Sequence, residues 1–413
     1  MRPNSSHLDL APSLARVARG DLCAGCGGCA AIAPDAIKMA ESADGFLRPV
    51  QQGQVSSAQD TQIAAICPGL TQTVLVDDRK DHPLWGPFLT MQTGHATDAD
   101  LRFAGASGGG LSALAAWLLG TGKVDAILQI KADPDNPVGN VAVLSRTRAE
   151  VQAAAGSRYA PAAPLAVIPD LPEDAQRIAF IGKPCDCAAL RALCDHDPQL
   201  AARFPVILSF FCAGTPSLQG AAAVLAALDT DLAQAQAFRY RGNGWPGAAT
   251  VTRTNGETAQ MSYHESWGRI LSRHVQHRCK ICADGTGTAA DIVCADAWES
   301  DEEGYPLFEE GEGTSLFVAR TASGAALLGE AEGAGALTLN LFSVPNLAAI
   351  QPGQTKRRRV LLARLLALRL LGKPTPTYRG LSLRAAAKGA PFRLLVRNFL
   401  GTLRRGLFPK GRS

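Results

Sequence analysis

Three cysteines at two-residue intervals, Cys23-Ala-Gly-Cys26-Gly-Gly-Cys29, offer three thiolates from one short loop. That spacing suits a [4Fe–4S] cubane: the loop can fold around the cluster, and its glycines permit tight turns and leave amides free to donate to sulfide. The bacterial ferredoxin run adds a fourth cysteine three residues further on, followed by proline. Here that position is Ala33, although Pro34 is kept. In two-cluster ferredoxins the fourth cysteine serves the other cluster, so its absence implies one centre in this module. The remaining ligand is then remote, and Cys67-Pro68-Gly69 is the nearby offer. A structural zinc site is the competing reading, but zinc sites usually present two separated CxxC pairs rather than a triple run.

Four more cysteines are placed for related chemistry. Cys185 follows the expected strand 177–182 in Gly182-Lys183-Pro184-Cys185, and Cys212 follows the expected strand 205–211. Open α/β sheets gather ligands outside the carboxyl ends of their strands, so two thiols at neighbouring strand ends can face one site. With the pair Cys279-Lys280-Ile281-Cys282 they make four ligands for a second [4Fe–4S] centre. Cys187 is the alternative to Cys185. A redox dithiol is the alternative for Cys279 and Cys282, although no strand–CxxC–helix context is evident. Cys187, Cys194 and Cys294 read as buried small hydrophobes.

Gly105-Ala106-Ser107-Gly108-Gly109-Gly110 opens an apolar helical run, with Ser107 the expected N-cap. Residues without side chains at a helix start expose N–H groups where the dipole favours an anion. Ser107, Gly108 and Gly109 are therefore candidates to cradle a flavin phosphate. The spacing is not the dinucleotide fingerprint, and a glycine turn with no ligand is the bland reading. Two other loops pair an arginine with a stacking ring: Ser157-Arg158-Tyr159, and Arg241-Gly242-Asn243-Gly244-Trp245. Arginine and aromatics also serve surfaces and cores, but three such loops beside two cysteine groups favour a cofactor pocket.

Short apolar strands at 124–130, 177–182, 205–211, 291–298 and 315–320 alternate with Ala/Leu-rich helices at 111–119, 187–195, 217–229 and 323–332. This alternation argues for an α/β domain with a mixed, partly parallel sheet and helices packed on it. The expected organisation is a loose leader over 1–20 and a small ferredoxin-like module over 21–80. A linker at 82–87, an FAD-binding and catalytic α/β domain over 88–350 and a basic helical tail over 355–413 follow. Within the small module, 45–50 and 73–78 read as strands.

Charge is distributed unevenly. From Thr355 to Ser413 there are 16 Lys or Arg and no Asp or Glu, whereas the preceding residues carry 25 basic and 37 acidic side chains, a net of −12. A basic amphipathic tail on an acidic body suits an anionic membrane surface, an acidic partner or the body itself. Nucleic acid is not expected, because the tail carries few interleaved aromatics. No apolar stretch reaches the roughly 18 residues that span a bilayer. The N-terminal segment lacks the apolar centre of a signal peptide, so the expectation is a cytoplasmic protein, at most at the inner membrane surface, whose cysteines bind metal rather than pair as disulfides.

Taken in order, CAGCGGC, CPG, GASGGG, GSRYAP, IGKPCDCAALR, FFCAGTPS, RYRGNGWPG and HRCKICADGTGTAADIVCADAW resemble the coenzyme F420 hydrogenase/dehydrogenase β-subunit family, over about residues 21–300. The resemblance implies a ferredoxin-like module and a flavin-binding α/β domain with FAD and one or two [4Fe–4S] clusters. It supports Cys23, Cys26, Cys29 and Cys67 as ligands of one cluster and Cys279 and Cys282 in another, and makes Lys183 and Ser107 candidates for the flavin pocket. Cys294 stands where family members often have glycine. The implied function is electron relay between a ferredoxin or another electron-carrier protein, or F420, and a small-molecule acceptor. The alternative is a non-catalytic electron-transfer β subunit of a larger oxidoreductase complex. A homo-oligomer is compatible with either. Lys183 and His277 are the candidate catalytic proton donors, with His264 and His274 behind them.

Overall fold

The computed structural model describes residues 9–77, 79–297 and 310–408. Its N-terminal part begins with a helix, Pro12–Gly20, where a loose leader was expected. Proline suits the first turn, Leu14 and Val17 give the helix a buried face, and the Ser13 amide donates to Asp60 at 3.0 Å. Residues 1–8 of that leader lie outside the described residues. A hairpin follows, with strand β1 (Ile37–Glu41) antiparallel to β2 (Leu47–Gln51). The helix Ser57–Ile66 starts at a reciprocal cap made by Ser56 and Gln59. Strand β3 spans only Thr71–Thr73, so of the expected strand 73–78 just its first residue is in a strand, and Asp78 lies outside the described residues.

The expected linker at 82–87 is instead anchored in the core. Trp85 is 1% exposed, and the buried Arg320 guanidinium donates to the Trp85 and Pro87 carbonyls, both at 2.7 Å.

The large sheet holds eight strands: β4 (Thr90–Ala96), β5 (Ala126–Ala132), β6 (Asn140–Ser145), β7 (Ile178–Gly182), β8 (Val206–Phe210), then β12 (Ile292–Asp296), β13 (Ser315–Ala319) and β14 (Leu337–Leu341). Between them in sequence, β9 (Ala235–Arg239), β10 (Ala249–Arg253) and β11 (Thr258–Met261) form a small antiparallel sheet. The order in the large sheet is β14-β4-β13-β12-β8-β7-β5-β6, with β5, β7, β8 and β12 mutually parallel and antiparallel strands on both flanks. This is the expected mixed α/β architecture. The parallel centre is buried on both faces, which is why those strands read as unbroken apolar runs. Along β13, Leu316 and Val318 enter one core, with Leu190 and Leu193 of helix Pro184–His196. Phe317 and Ala319 enter the other, with Leu114 and Leu118 of helix Gly110–Gly120.

The C-terminal segment is part of this fold. Helix Pro352–Leu370 buries Leu361, Leu365 and Leu368 against Val17, Leu22, Leu70 and Ile281. Strand β15 (Thr377–Arg379) adds in parallel to β3, and Tyr378 donates its hydroxyl to the Ile281 carbonyl at 2.7 Å. Helix Phe392–Leu407 packs outside helix Pro352–Leu370; residues 409–413 lie outside the described residues.

Candidate cofactor-binding site

Glycines bend the loop of the first three cysteines. Gly27 has φ +88°, and a Cβ there would lie 2.6 Å from the Ala166 nitrogen. The Gly25 amide donates to Cys23 Sγ at 3.3 Å. Cys67 enters from the end of helix Ser57–Ile66. There the chain turns so closely past Leu22 that a Cβ on Gly69 would stand 2.4 Å from the Leu22 carbonyl oxygen. The turn brings Cys67 within electrostatic reach of Cys23, Cys26 and Cys29. Burial, then the neighbouring thiols, pushes Cys29 up to about 12 and Cys67 up to about 11. Ala33 lies in a small apolar core with Leu14, Ile37 and Ile63.

The second four thiols also converge. Cys185 starts helix Pro184–His196 at the end of β7, and Cys212 stands just past the end of its parallel neighbour β8. Cys185 lies within electrostatic reach of Cys212 and Cys279, and Cys212 within reach of Cys279 and Cys282. Burial first, then Cys279, pushes Cys212 up to about 12. The Thr215 amide and the Gln276 side-chain amide each donate to Cys279 Sγ at 3.4 Å. Cys187 is fully buried beneath the sheet, its thiol facing the Gly182 and Leu208 carbonyls. Cys194 is a core residue as expected, and Cys294 is buried but borders the cavity described below.

Arg278 sits between the two thiol groups. Its side chain is in electrostatic reach of Cys23 and Cys67 on one side and of Cys185, Cys279 and Cys282 on the other. Nη2 donates to the Pro68 carbonyl at 2.7 Å and to Gln72 Oε1 at 3.1 Å. Its Nε and Nη1 are buried without a hydrogen-bond partner among the described residues. A buried cation with free donors between thiol quartets fits anionic clusters on both sides. Among the described residues, no three His, Cys, Asp or Glu side chains stand close enough together to hold a single metal ion.

A cavity of about 290 Å³ opens at the carboxyl ends of β5, β7, β8 and β12. Its wall includes Ser107, Gly109, Ser157, Arg158, Tyr159, Lys183 and Arg241, and also Cys212 of the second quartet. A larger cleft of about 1140 Å³ shares Ser157, Arg158 and Arg241 and adds Gly242 and Trp245. The cavity is at the small end of the roughly 300–1,000 Å³ usual for cofactor and ligand sites, and the adjoining cleft is slightly larger than that range.

The individual roles differ from the sequence expectation. Ser107 is not the N-cap of helix Gly110–Gly120; Gly109 is, at φ +66°, and Ser107 Oγ donates to the Ala295 and Thr314 carbonyls instead. The glycines are tightly packed by the protein itself: a Cβ on Gly109 would meet the Leu101 oxygen at 2.3 Å, and one on Gly108 the Ser315 nitrogen at 3.0 Å. Arg158 commits its guanidinium to Asn140 and to the carbonyls of Phe238, Pro137 and Gly139, so it braces the loops rather than offering free donors. Tyr159 lies against Trp267, ring centres 4.8 Å apart.

Arg241 forms a two-pronged bond to Asp296 at 2.7 and 2.9 Å and lies over the Tyr263 ring at 4.7 Å. Lys183 Nζ is 2.7 Å from Asp186. Burial alone would push this ammonium down, but Asp186 and the thiols of Cys185 and Cys212 outweigh it and hold it up. His277 stands away from the cavity, near Asp21 and Lys280, where burial lowers it, and neither His264 nor His274 lines cavity or cleft. Tyr263, Trp267, Asp296 and Gln351 line the cavity and were missing from the sequence expectation. One clue was available for the first two: a Tyr, a Trp and a His in SYHESWGRI, just ahead of the CxxC pair.

Residues 91–168 match the family model for the N-terminal part of the coenzyme F420 hydrogenase/dehydrogenase beta subunit, and residues 175–343 match the model for the C terminus of the same beta subunit. A chain of the F420-reducing [NiFe] hydrogenase complex from Methanosarcina barkeri, solved as a xenon derivative, superposes with a TM-score of 0.51 at 18% identity, over 68% of this chain and 96% of that one. At that identity the likeness shows a shared fold. The search of curated proteins gave no match.

Proposed function

The chain belongs to the coenzyme F420 hydrogenase/dehydrogenase β-subunit family, and from that premise we propose an iron–sulfur flavoprotein oxidoreductase relaying electrons between a ferredoxin-like or F420 partner and a substrate, with [4Fe–4S] clusters and FAD. The observation that carries the reading is Cys212, which faces the second thiol group and also lines the cavity. When bound, a flavin would exchange one or two electrons while clusters exchange one at a time.

Cys23, Cys26, Cys29 and Cys67 would hold one cluster, and Cys185, Cys212, Cys279 and Cys282 the other. Ser107, Gly108, Gly109, Ser157, Tyr159, Arg241, Gly242 and Trp245 would shape the flavin site, with Arg158 bracing it. Lys183, kept protonated by Asp186, would place a fixed cation at Nζ on the cavity wall, and the raised ammonium holds its proton rather than giving it up readily. Phe210, Phe211 and Trp267 add apolar surface to the same wall. The proposed setting is the cytoplasm; among the described residues no helix is long and apolar enough to cross a membrane.

The test is anaerobic purification with iron, sulfide and flavin counts. The reading expects roughly eight irons per chain and one flavin. Cys67→Ser and Cys212→Ser should each lose about half of the iron. A colourless, zinc-containing chain would sink it. The family's description as a beta subunit favours a second reading, a chain without its own substrate. In that case the loaded protein is reduced but turns over an acceptor only when a partner protein is added.

A further inference from the structure

Helix Phe392–Leu407 is apolar over more of its circumference than the body covers: Leu395, Phe399 and Leu403 are half-buried, and further large apolar residues are left uncovered. Asn398 Oδ1 accepts from Arg364 at 3.0 and 3.2 Å, Thr402 is buried, and Gly406 meets Leu371 so closely that a Cβ would stand 2.3 Å from it. The adjoining side of the helix faces solvent with large apolar groups. Phe392, Leu400 and Leu407 are 78%, 55% and 61% exposed, and Phe408, just past the helix, is 73% exposed. At about 100° per residue the three helical positions fall within one arc of roughly 80°. Arg393, Arg397 and Arg404 fall in the adjoining arc and are exposed.

An outward apolar row edged by arginine is the pattern of a helix lying in a membrane interface, with its apolar side in the acyl boundary and its cations among headgroups. Charge selects the occupant. No Asp or Glu occurs between Thr355 and Ser413, so the arginines have no acidic neighbour within their segment. A second copy docked through the same segment would bring the arginines no acidic partner, since that segment has none. An anionic lipid surface meets both halves of the pattern.

We infer that helix Phe392–Leu407 docks this protein on anionic membrane surfaces, independently of the redox reading above. The full-length chain is sedimented with phosphatidylcholine vesicles, with and without phosphatidylglycerol. The expected result is pelleting with the mixed vesicles alone, weakened by added salt. The triple variant R393Q/R397Q/R404Q should partition on the order of a hundredfold more weakly, about fivefold per arginine removed. Leu400→Asn should also weaken it, with circular dichroism unchanged because the position is exposed. Wild-type protein that stays in the supernatant with both vesicles, or a triple variant that pellets like wild type, overturns the inference. So does a dimer in light scattering that Leu400→Asn converts to monomer, which would assign the face to a second copy.

Discussion

Arg278 shows where residue-level reading stops. The cysteines around it stand out in the sequence because thiolate spacing is a strong pattern, and each proposed set of four has members within electrostatic reach of one another. An arginine inside HRCKIC reads as one more surface cation, since its partners come from Pro68 and Gln72, some two hundred residues away. His277, one position earlier, is the more attractive candidate on chemical type and yet stands outside the cavity. If clusters occupy both thiol groups, each gains negative charge on reduction, and a buried guanidinium between them favours the reduced forms. Arg278→Gln should therefore lower the midpoint potential of both centres in an anaerobic redox titration followed by electron paramagnetic resonance. Arg278→Lys, which keeps the charge, should restore most of the shift. Unchanged potentials in a fully loaded Arg278→Gln variant would make the arginine a tether for the Pro68 turn only.

Elements were legible in proportion to their length and burial. The doubly buried strands β7, β8, β12 and β13 fall within a residue or two of the apolar runs that announced them. The helix Ala99–Ala104 was not, because under two turns carry no usable period. It matters all the same: Arg102 donates to the Glu312 and Gly313 carbonyls, beside the glycine turn of the cavity. Its stability rests on Asp98, which accepts from the Asp100 and Leu101 amides at 3.0 and 3.1 Å and pairs with Arg148. Slight burial would raise the Asp98 carboxyl, but Arg148 and the two amides outweigh it and hold it below the usual range. A carboxylate depressed in the folded state stabilises above its unfolded pKa, and that contribution fades as pH falls through the folded one. Asp98→Asn keeps the cap and loses the charge, so it should melt lower than wild type at pH 7, by about 0.5 kcal/mol given solvent screening. The gap should close below about pH 4. Asp98→Ala should cost about 1 kcal/mol through the lost cap, with a gap that persists further into acid. Thermal melts across pH check both.

For the whole molecule, the least legible feature is that the basic C-terminal segment belongs to the fold. A charge run with no acidic residue reads as an appendage, and arginines at 364 and 369 mask the apolar row beneath. Burial follows position on the helix, however, and Leu361 is fully buried where Leu22, Leu70 and Ile281 meet. Those three residues flank Cys23, Cys67 and Cys282, so one side chain from helix Pro352–Leu370 supports the loops of both thiol groups. Leu361→Ala should thus cost about 2–5 kcal/mol, as for other buried leucines. Leu366, five positions along and 48% exposed, provides the control: its alanine variant should stay within about 0.5 kcal/mol of wild type. The decisive measurement is iron release to a chelator from the anaerobically loaded protein. If the helix clamps the two loops, Leu361→Ala loses iron from both sets faster than Leu366→Ala and wild type. Equal release from all three would mean that the cysteine loops hold their shape without it, and that the segment is bound to the fold without supporting its chemistry.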